Sequence, residues 1–198
     1  MNTRTFKAAD AHRLDDPERL KWLSPDEAIQ VLSLEPGMTV ADIGAGTGYF
    51  SLPFARAIAP EGRVLAVDLQ PEMLAILRSK LQSPGMPGNI QLLEGTATQT
   101  GIAAQRCDLV FLANIWHELD DHAAVLCEMV RVLKPGGRIA ILDWRHDVAG
   151  PPGPPADHRV AQHTTTSMLV HAGWQIRYSG AFGQYSYLVV GTHPSVAT

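Results

Sequence analysis

The sequence predicts an open α/β sandwich, and three observations carry that prediction. Short apolar runs alternate with amphipathic segments at the spacing of βαβ units. Four runs, "TVADIG", "GRVLAVD", "CDLVFLA" and "GRIAILDW", are almost continuously apolar, the pattern of strands buried on both faces of a parallel sheet. Each also carries a polar residue at or near its carboxyl end, Asp42, Asp68, Asn114 and Asp143 in turn, and such sheets bind ligands outside those ends.

The elements follow in order. "SPDEAIQVLSL" opens a helix with Ser24 as N-cap, Pro25 at the first helical position and Glu27 placed for a capping box, and Glu35-Pro36-Gly37 stops it. "TVADIG" is the first strand. "YFSLPFARAIA" is the next helix, where Pro53 is tolerable only near the first turn. After strand "GRVLAVD", Pro71 begins the helix "PEMLAILRSKL". "NIQLLEG" and "CDLVFLA" are the third and fourth strands. Leu119, Ala123, Leu126, Val130 and Leu133 mark one helical face at 3,4 spacing, and Lys134-Pro135-Gly136-Gly137 ends that helix. "GRIAILDW" is the fifth strand. "TTTSMLVHAG" is a short helix closed by Gly173, and "WQIRYSG" and "YSYLVVGT" are two last strands joined by a short Gly-containing turn. Four prolines stiffen the long loop "AGPPGPPADHR" after the fifth strand.

With 198 residues, 45% of them hydrophobic and 18% charged, the chain fills one core, so a single domain with one site cluster is expected. The net charge of -4, without a run of five like charges, announces no nucleic-acid groove. Cys107 and Cys127 sit in apolar sequence, far from any partner at metal-like spacing; both are expected in the core, in neither a disulfide framework nor a zinc ribbon. The N-terminal stretch lacks an apolar run of signal-peptide length, and no window approaches the ~20 apolar residues of a membrane span. A cytoplasmic address is the expectation. Nothing in the sequence sets an oligomeric state.

A carboxylate beside so much apolar surface is costly without a partner, so three of them on one sheet edge point to a polar ligand. The glycines narrow the choice. Gly44, Gly46 and Gly48 form G-x-G-x-G, whereas the dinucleotide fingerprint would place glycine where Tyr49 stands. The Lys-Ser/Thr of a phosphate-binding loop is missing too, because Tyr49 and Phe50 follow Gly48. Asp68 comes 20 residues after Gly48, at the end of the second strand, where a ribose diol would donate to it. A ribose plus a cationic group, without phosphates, describes S-adenosylmethionine. In "HELDDH", His117 and His122 stand five apart, one residue too far for the H-E-x-x-H pair of a zinc hydrolase, and no metal site is expected.

"VADIGAGTGYFS", "VLAVDLQPEML", "CDLVFLANIWHELD" and "MVRVLKPGGRIAILDW" closely resemble the successive motifs of the class I S-adenosylmethionine-dependent methyltransferases, from about residue 34 to 144. The resemblance implies a Rossmann-like, doubly wound, mostly parallel seven-stranded sheet with an antiparallel last strand and helices on both faces. It implies that Gly44, Ala45, Gly46 and Gly48 line the methionine moiety of the cofactor, that Asp42 receives its ammonium, and that Asp68 receives the ribose hydroxyls. Leu69, Gln70 and Met73 would lie near the adenine, although the spacing of Met73 with Leu77 and Leu81 favours a core position. Asn114 would close the pocket. Thr96 and Ala97 stand where relatives often carry an adenine-binding acid, so Thr96 or backbone would make that contact.

The general similarity is to the small-molecule group typified by ubiquinone and menaquinone C-methyltransferases and by arsenite methyltransferases. The arsenite branch relies on several thiols, and only Cys107 and Cys127 are present here. The N-P-P-[YFW] tetrad of amino methylation is absent, since "ANIWHEL" follows the fourth strand. A small organic methyl acceptor is expected, with no nucleic-acid partner. A non-catalytic S-adenosylmethionine-binding protein of the same fold is the alternative, ahead of a macromolecule methyltransferase. An acid or base is needed only if the acceptor carries a proton to lose, and the candidates are His117 and His146, just after the fourth and fifth strands. Asp143 would orient or charge-stabilise either ring, and Trp116 or Trp144 would supply an aromatic wall. Residues 1–35 are expected as an N-terminal segment and helix over the cofactor pocket, and residues 36–198 as the methyltransferase domain. "AHRLDDPERLKWL" and "RHDVAGPPGPPADHR" are the two segments expected to close over the cofactor.

Overall fold

A computed structural model describes residues 6–148 and 153–194. Seven strands form one sheet: β1 Thr39–Ile43, β2 Arg63–Asp68, β3 Ile90–Glu94, β4 Cys107–Ala113, β5 Leu133–Trp144, β6 Gln175–Phe182 and β7 Ser186–Thr192. Their order is β3-β2-β1-β4-β5-β7-β6. The first five run parallel, and β7 enters antiparallel between β5 and β6. The strand order reverses between β1 and β4, which opens a crevice at the carboxyl end of the sheet.

The two-residue period of each strand divides the core in two. Ala41, Ile43, Leu65, Val67, Val110, Leu112, Ile139 and Ile141 face one layer, packed with α4 (His122–Val132) and α5 (Gln162–His171). Their neighbours Val40, Val64, Ala66, Leu109, Phe111, Ala140 and Leu142 face the other, packed with α1 (Pro25–Val31), α2 (Ser51–Ala57) and Leu77 of α3 (Pro71–Leu81). There Phe50, Phe54 and Phe111 stack with ring centroids 4.9 to 5.6 Å apart. Ser24 caps α1 as its sequence implies, accepting the Glu27 N–H at 3.2 Å. Pro53 falls in the first turn of α2, where its missing N–H costs nothing.

Three expectations change. α4 begins only at His122, because Asp121 caps it by accepting the Ala124 N–H, while Leu119 before it is extended. Its buried face is therefore Val125, Leu126, Met129 and Val132; Ala123 is exposed, and Leu133 already belongs to β5. Cys127, one step from Leu126 around that helix, is exposed, whereas Cys107 in β4 is buried.

Two 3₁₀ helices, Ala8–Asp15 and Pro17–Lys21, carry the N-terminal segment across the carboxyl end of the sheet. Five hydrogen bonds fasten it there. Gln70 Nε2 donates to the Phe6 carbonyl at 2.8 Å, and its Oε1 accepts the Ala8 N–H at 3.1 Å. The Phe6 N–H reaches Glu118 at 3.2 Å. Asp15 accepts from Thr47 Oγ1 at 2.8 Å and Lys80 Nζ at 2.6 Å.

Candidate active site

Under that segment lies a cavity of about 710 Å³, floored by the loops after β1, β2, β3, β4 and β5. Asp42, Gly44, Ala45, Gly46, Asp68, Leu69, Gln70, Met73, Thr96, Ala97, Asn114 and His117 all reach its wall. Gly48 and His146 do not. Gly48 has φ +88°, and a Cβ there would run into Leu77, so its glycine serves the packing of α3 against the turn. His146 sits exposed on the turn after β5, between Arg145 and Asp147, which form an ion pair with each other.

The turn after β1 needs its glycines for space as well as for φ. Gly44 has φ +72°, and a Cβ there would lie 2.7 Å from Ile115; Gly46 has φ +54°, and its Cβ would lie 3.1 Å from Leu14 of the covering segment. Asp42, 2% exposed, accepts from Ser51 Oγ at 2.5 Å. Burial pushes its carboxyl up to about 6, with the nearby Asp68 charge adding to the rise and the Ser51 bond opposing it. Asp68 turns inward to accept the Gly46 N–H at 2.8 Å and the Gln70 N–H at 2.9 Å; burial raises its pKa against those bonds. Thr96 Oγ1 closes its own turn on the Gln99 N–H at 3.1 Å. Met73 is both core and wall, at 2% exposure. Gln70, expected near adenine, spends its amide on the N-terminal segment. Asn114 stands at φ +56°, uncommon for a residue with a side chain, and its buried Oδ1 has no hydrogen-bond partner among the described residues.

Beyond Asn114 lies a set of titratable groups. The short 3₁₀ turn Trp116–Glu118 delivers His117, 5% exposed, onto the end of β5. Its Nδ1 is 2.8 Å from Asp143 Oδ1, and its backbone N–H donates to Asp143 Oδ2 at 2.8 Å. A buried carboxylate can only accept there, which fixes the proton on Nδ1 and leaves Nε2 as the ring's acceptor. Burial disfavours charge on this ring, but the Asp143 charge and hydrogen bond and the Glu118 charge outweigh it, so its pKa lies above the ordinary value. Glu118, 3.8 Å from Nε2, is pushed by burial up to about 7, against the pull of His117 and the Phe6 N–H. His122 is apart from this group, opening α4 and stacked on Trp116 at 4.3 Å.

The remaining wall is aromatic. Trp22 packs on Trp144 at 5.5 Å and on Tyr185 at 5.9 Å, and Arg19 lies 4.1 Å from the Tyr49 ring centroid. Of the two candidates for an aromatic wall, Trp116 is fully buried in the core and Trp144 faces the cavity. Arg19, Trp22 and Glu118 were not singled out by sequence reasoning. Asp16-Pro17 is the signal that places the first two, since an N-cap followed by proline starts the turn that carries them. Of the Pro-rich loop, residues 149–152 lie outside the described residues. Its far end returns to the cavity through Gly153, whose Cα packs so close to the Trp144 indole that a Cβ would lie 2.6 Å from it.

A family model described as a methyltransferase domain matches residues 41–141, half of the chain. The chain belongs to the class I S-adenosylmethionine-dependent methyltransferases. This methyltransferase is 30% identical over 174 residues to a ubiquinone/menaquinone biosynthesis C-methyltransferase of Ectopseudomonas mendocina, covering 86% of this chain and 64% of that one. To the protein of the same name from Shewanella halifaxensis it is 32% identical over 123 residues, covering 61% of this chain and 49% of that one. The chain thus spans about half to two thirds of the length of these curated relatives. A solved S-adenosylmethionine-dependent methyltransferase from Aquifex aeolicus superimposes with a TM-score of 0.89 at 28% identity, covering 94% of this chain and 98% of that one. No helix among the described residues is long and apolar enough to cross a membrane.

Proposed function

We propose that this methyltransferase transfers the methyl group of S-adenosylmethionine to a small organic acceptor that gives up a proton, with His117 as the base. The observation that carries the reading is the buried Asp143–His117 pair on the wall of the same cavity as the glycine turn. The residues fit the cofactor. Gly44 and Gly46 leave bare backbone where a side chain would intrude, and Asn114 Oδ1 is a buried acceptor awaiting a donor. Asp42 and Asn114 would hold the ammonium end, Asp68 the ribose and Leu69, Met73, Thr96 and Ala97 the adenine end. When bound, the cofactor supplies a methyl group already activated on a sulfonium.

The protein's share is then alignment, exclusion of water and one proton. The N-terminal segment roofs the cavity through its five hydrogen bonds and keeps water off the reacting centre. In this reading the stretch from Phe6 to Trp22 covers the site, while α1 packs into the body of one domain that continues through residues 36–198. Asp143 holds the imidazole in the Nδ1–H tautomer and stabilises the imidazolium, so Nε2 takes the acceptor's proton. The likeness to ubiquinone/menaquinone C-methyltransferases supports a phenol-like acceptor, whose hydroxyl proton His117 would remove. The two unpaired thiols suit a reducing, cytoplasmic setting.

Titration calorimetry tests the cofactor. S-adenosylhomocysteine binds, NAD does not, and Gly46→Val abolishes binding while the circular dichroism spectrum is kept; tighter binding of NAD overturns the assignment. A panel of phenols, amines and thiols, followed by S-adenosylhomocysteine release, tests the base. His117→Ala keeps cofactor affinity and loses turnover; full turnover in that variant removes the base from the mechanism.

A further inference from the structure

Arg13 and Arg19 both reach the cavity wall, Arg13 exposed and Arg19 half-buried. Asp16 and Pro17 start the turn Pro17–Lys21, and this places Arg19 on its inner side. Its guanidinium lies over Tyr49, the residue that follows the glycine turn, with the Trp22 ring centroid 5.9 Å away. One nitrogen donates to the Leu14 carbonyl. Among the described residues none of the ion pairs includes Arg19. The two carboxylates nearest in sequence are engaged elsewhere: Asp15 holds Lys80 and Thr47, and Asp16 caps its own turn through the Glu18 N–H. Burial consequently disfavours the guanidinium charge, and the more distant pull of Tyr49, Asp15 and Asp16 does not restore it.

Three other arginines show what full pairing looks like in this fold. Arg131 forks onto Glu128, Arg145 onto Asp147, and Arg159 makes four bonds to backbone carbonyls. A guanidinium stacked on a tyrosine presents its N–H edge in the ring plane, and a planar fork of that kind matches a carboxylate with two parallel hydrogen bonds. We propose that Arg19 is a carboxylate receptor inside the cavity. The inference deepens the reading above and rests on it for the identity of the adenosyl ligand. Two carboxylates are available to such a site: the α-carboxylate of the cofactor's methionine moiety, which the glycine turn beside Tyr49 would receive, and a carboxylate on an acidic aromatic acceptor seated against Trp22 and Trp144. Both meet the same chemistry.

Calorimetry on the full chain separates them. Four probes are titrated into wild type and Arg19→Gln: adenosine, S-adenosylhomocysteine, its decarboxylated counterpart S-adenosyl-3-thiopropylamine, and benzoate in the presence of saturating S-adenosylhomocysteine. If the cofactor supplies the carboxylate, wild type binds S-adenosylhomocysteine about 10- to 100-fold tighter than the decarboxylated compound, and Arg19→Gln binds the two alike. If the acceptor supplies it, Arg19→Gln keeps wild-type affinity for both adenosyl compounds and loses benzoate. Adenosine carries no carboxylate, so equal binding to both proteins shows an intact pocket. Arg19→Gln matching wild type on both carboxylates overturns the proposal. Wild type gives a reading independent of the variant's folding, because neither discrimination between the adenosyl pair nor benzoate binding overturns it too. Failure of every adenosyl ligand on wild type refutes the cofactor assignment instead, and benzoate titrated alone into both proteins then decides Arg19.

Discussion

Asp42 is where the site and the stability of the fold oppose each other. Its carboxyl, ordinarily at 3.8, is pushed up to about 6 by burial and by the Asp68 charge. A rise of that size is worth about 3 kcal/mol between the two protonation states. The sign follows from the protonated form being the one the fold prefers: the contribution is fully present below the ordinary pKa and is lost as pH rises through about 6. Asp42→Asn keeps the shape and an acceptor for Ser51 Oγ and cannot ionise. At pH 8 relief of the buried charge favours the variant by up to about 3 kcal/mol, and the unmatched amide N–H donors take back about 1 to 2 of it. At pH 5 wild-type Asp42 is mostly protonated, and about 1.4 kcal/mol of that relief disappears. Urea unfolding of both proteins at pH 5, 6, 7 and 8 measures the difference directly, and comparing the two proteins cancels the parallel contribution of Glu118 near pH 7. A stability gap that does not move toward the variant between pH 5 and pH 8 refutes the argument. The same variant should bind S-adenosylhomocysteine more weakly, since in the proposed reading the carboxylate that strains the fold is the one that would face the ammonium.

The other expectations are smaller in scope. Asp143→Asn removes the charge that raises the His117 pKa and the acceptor that fixes its tautomer. Turnover should fall about 10²- to 10⁴-fold, and the acid limb of the kcat/KM profile should move to lower pH; an unshifted limb assigns that limb to another group. Arg159→Ala releases the carbonyls of Pro154, Arg145 and Val148, which the guanidinium gathers at the two ends of the Pro-rich loop. Amide exchange should quicken at residues 153–159 with global stability changed by under about 1 kcal/mol, and unchanged exchange there means the loop is held by Gly153 against Trp144 instead.

Much of the fold was legible because the strongest signals are local and redundant. Continuous apolar runs mark β1, β2, β4 and β5, and Pro25 and Pro71 mark the starts of α1 and α3. The errors fell where a nearby contact outweighs a repeat. Leu119 and Leu133 complete a 3,4 pattern, yet the Asp121 cap and the pairing of Leu133 with Cys107 across β4 and β5 take both out of the helix. In the site, the residues on strand ends and in the glycine turn were readable because the topology alone brings them to one edge. His117 and His146 were equivalent on that basis, each just past a strand. Only packing separates them: a 3₁₀ turn folds His117 inward onto Asp143, whereas His146 lies exposed between Arg145 and Asp147, which pair with each other. Arg19 and Glu118 were hidden because each owes its place to the covering segment, a contact between residues about 30 to 110 positions apart that no local pattern encodes.

That covering segment is fastened by the residues that border the ligand. Gln70 follows Asp68, Thr47 belongs to the glycine turn, and Glu118 follows His117; each of these three also ties down Phe6, Ala8 or Asp15. A ligand lying against Asp68, the glycine turn and His117 therefore lies against the ties of its own cover. The roof is placed by the same loops that would read the ribose, the methionine moiety and the acceptor, so a substitution in any of them acts on closure and on recognition together. Arg19 is the converse case: it belongs to the cover and lines the cavity, which makes it the point at which, in the proposed reading, an anionic ligand would draw the cover down.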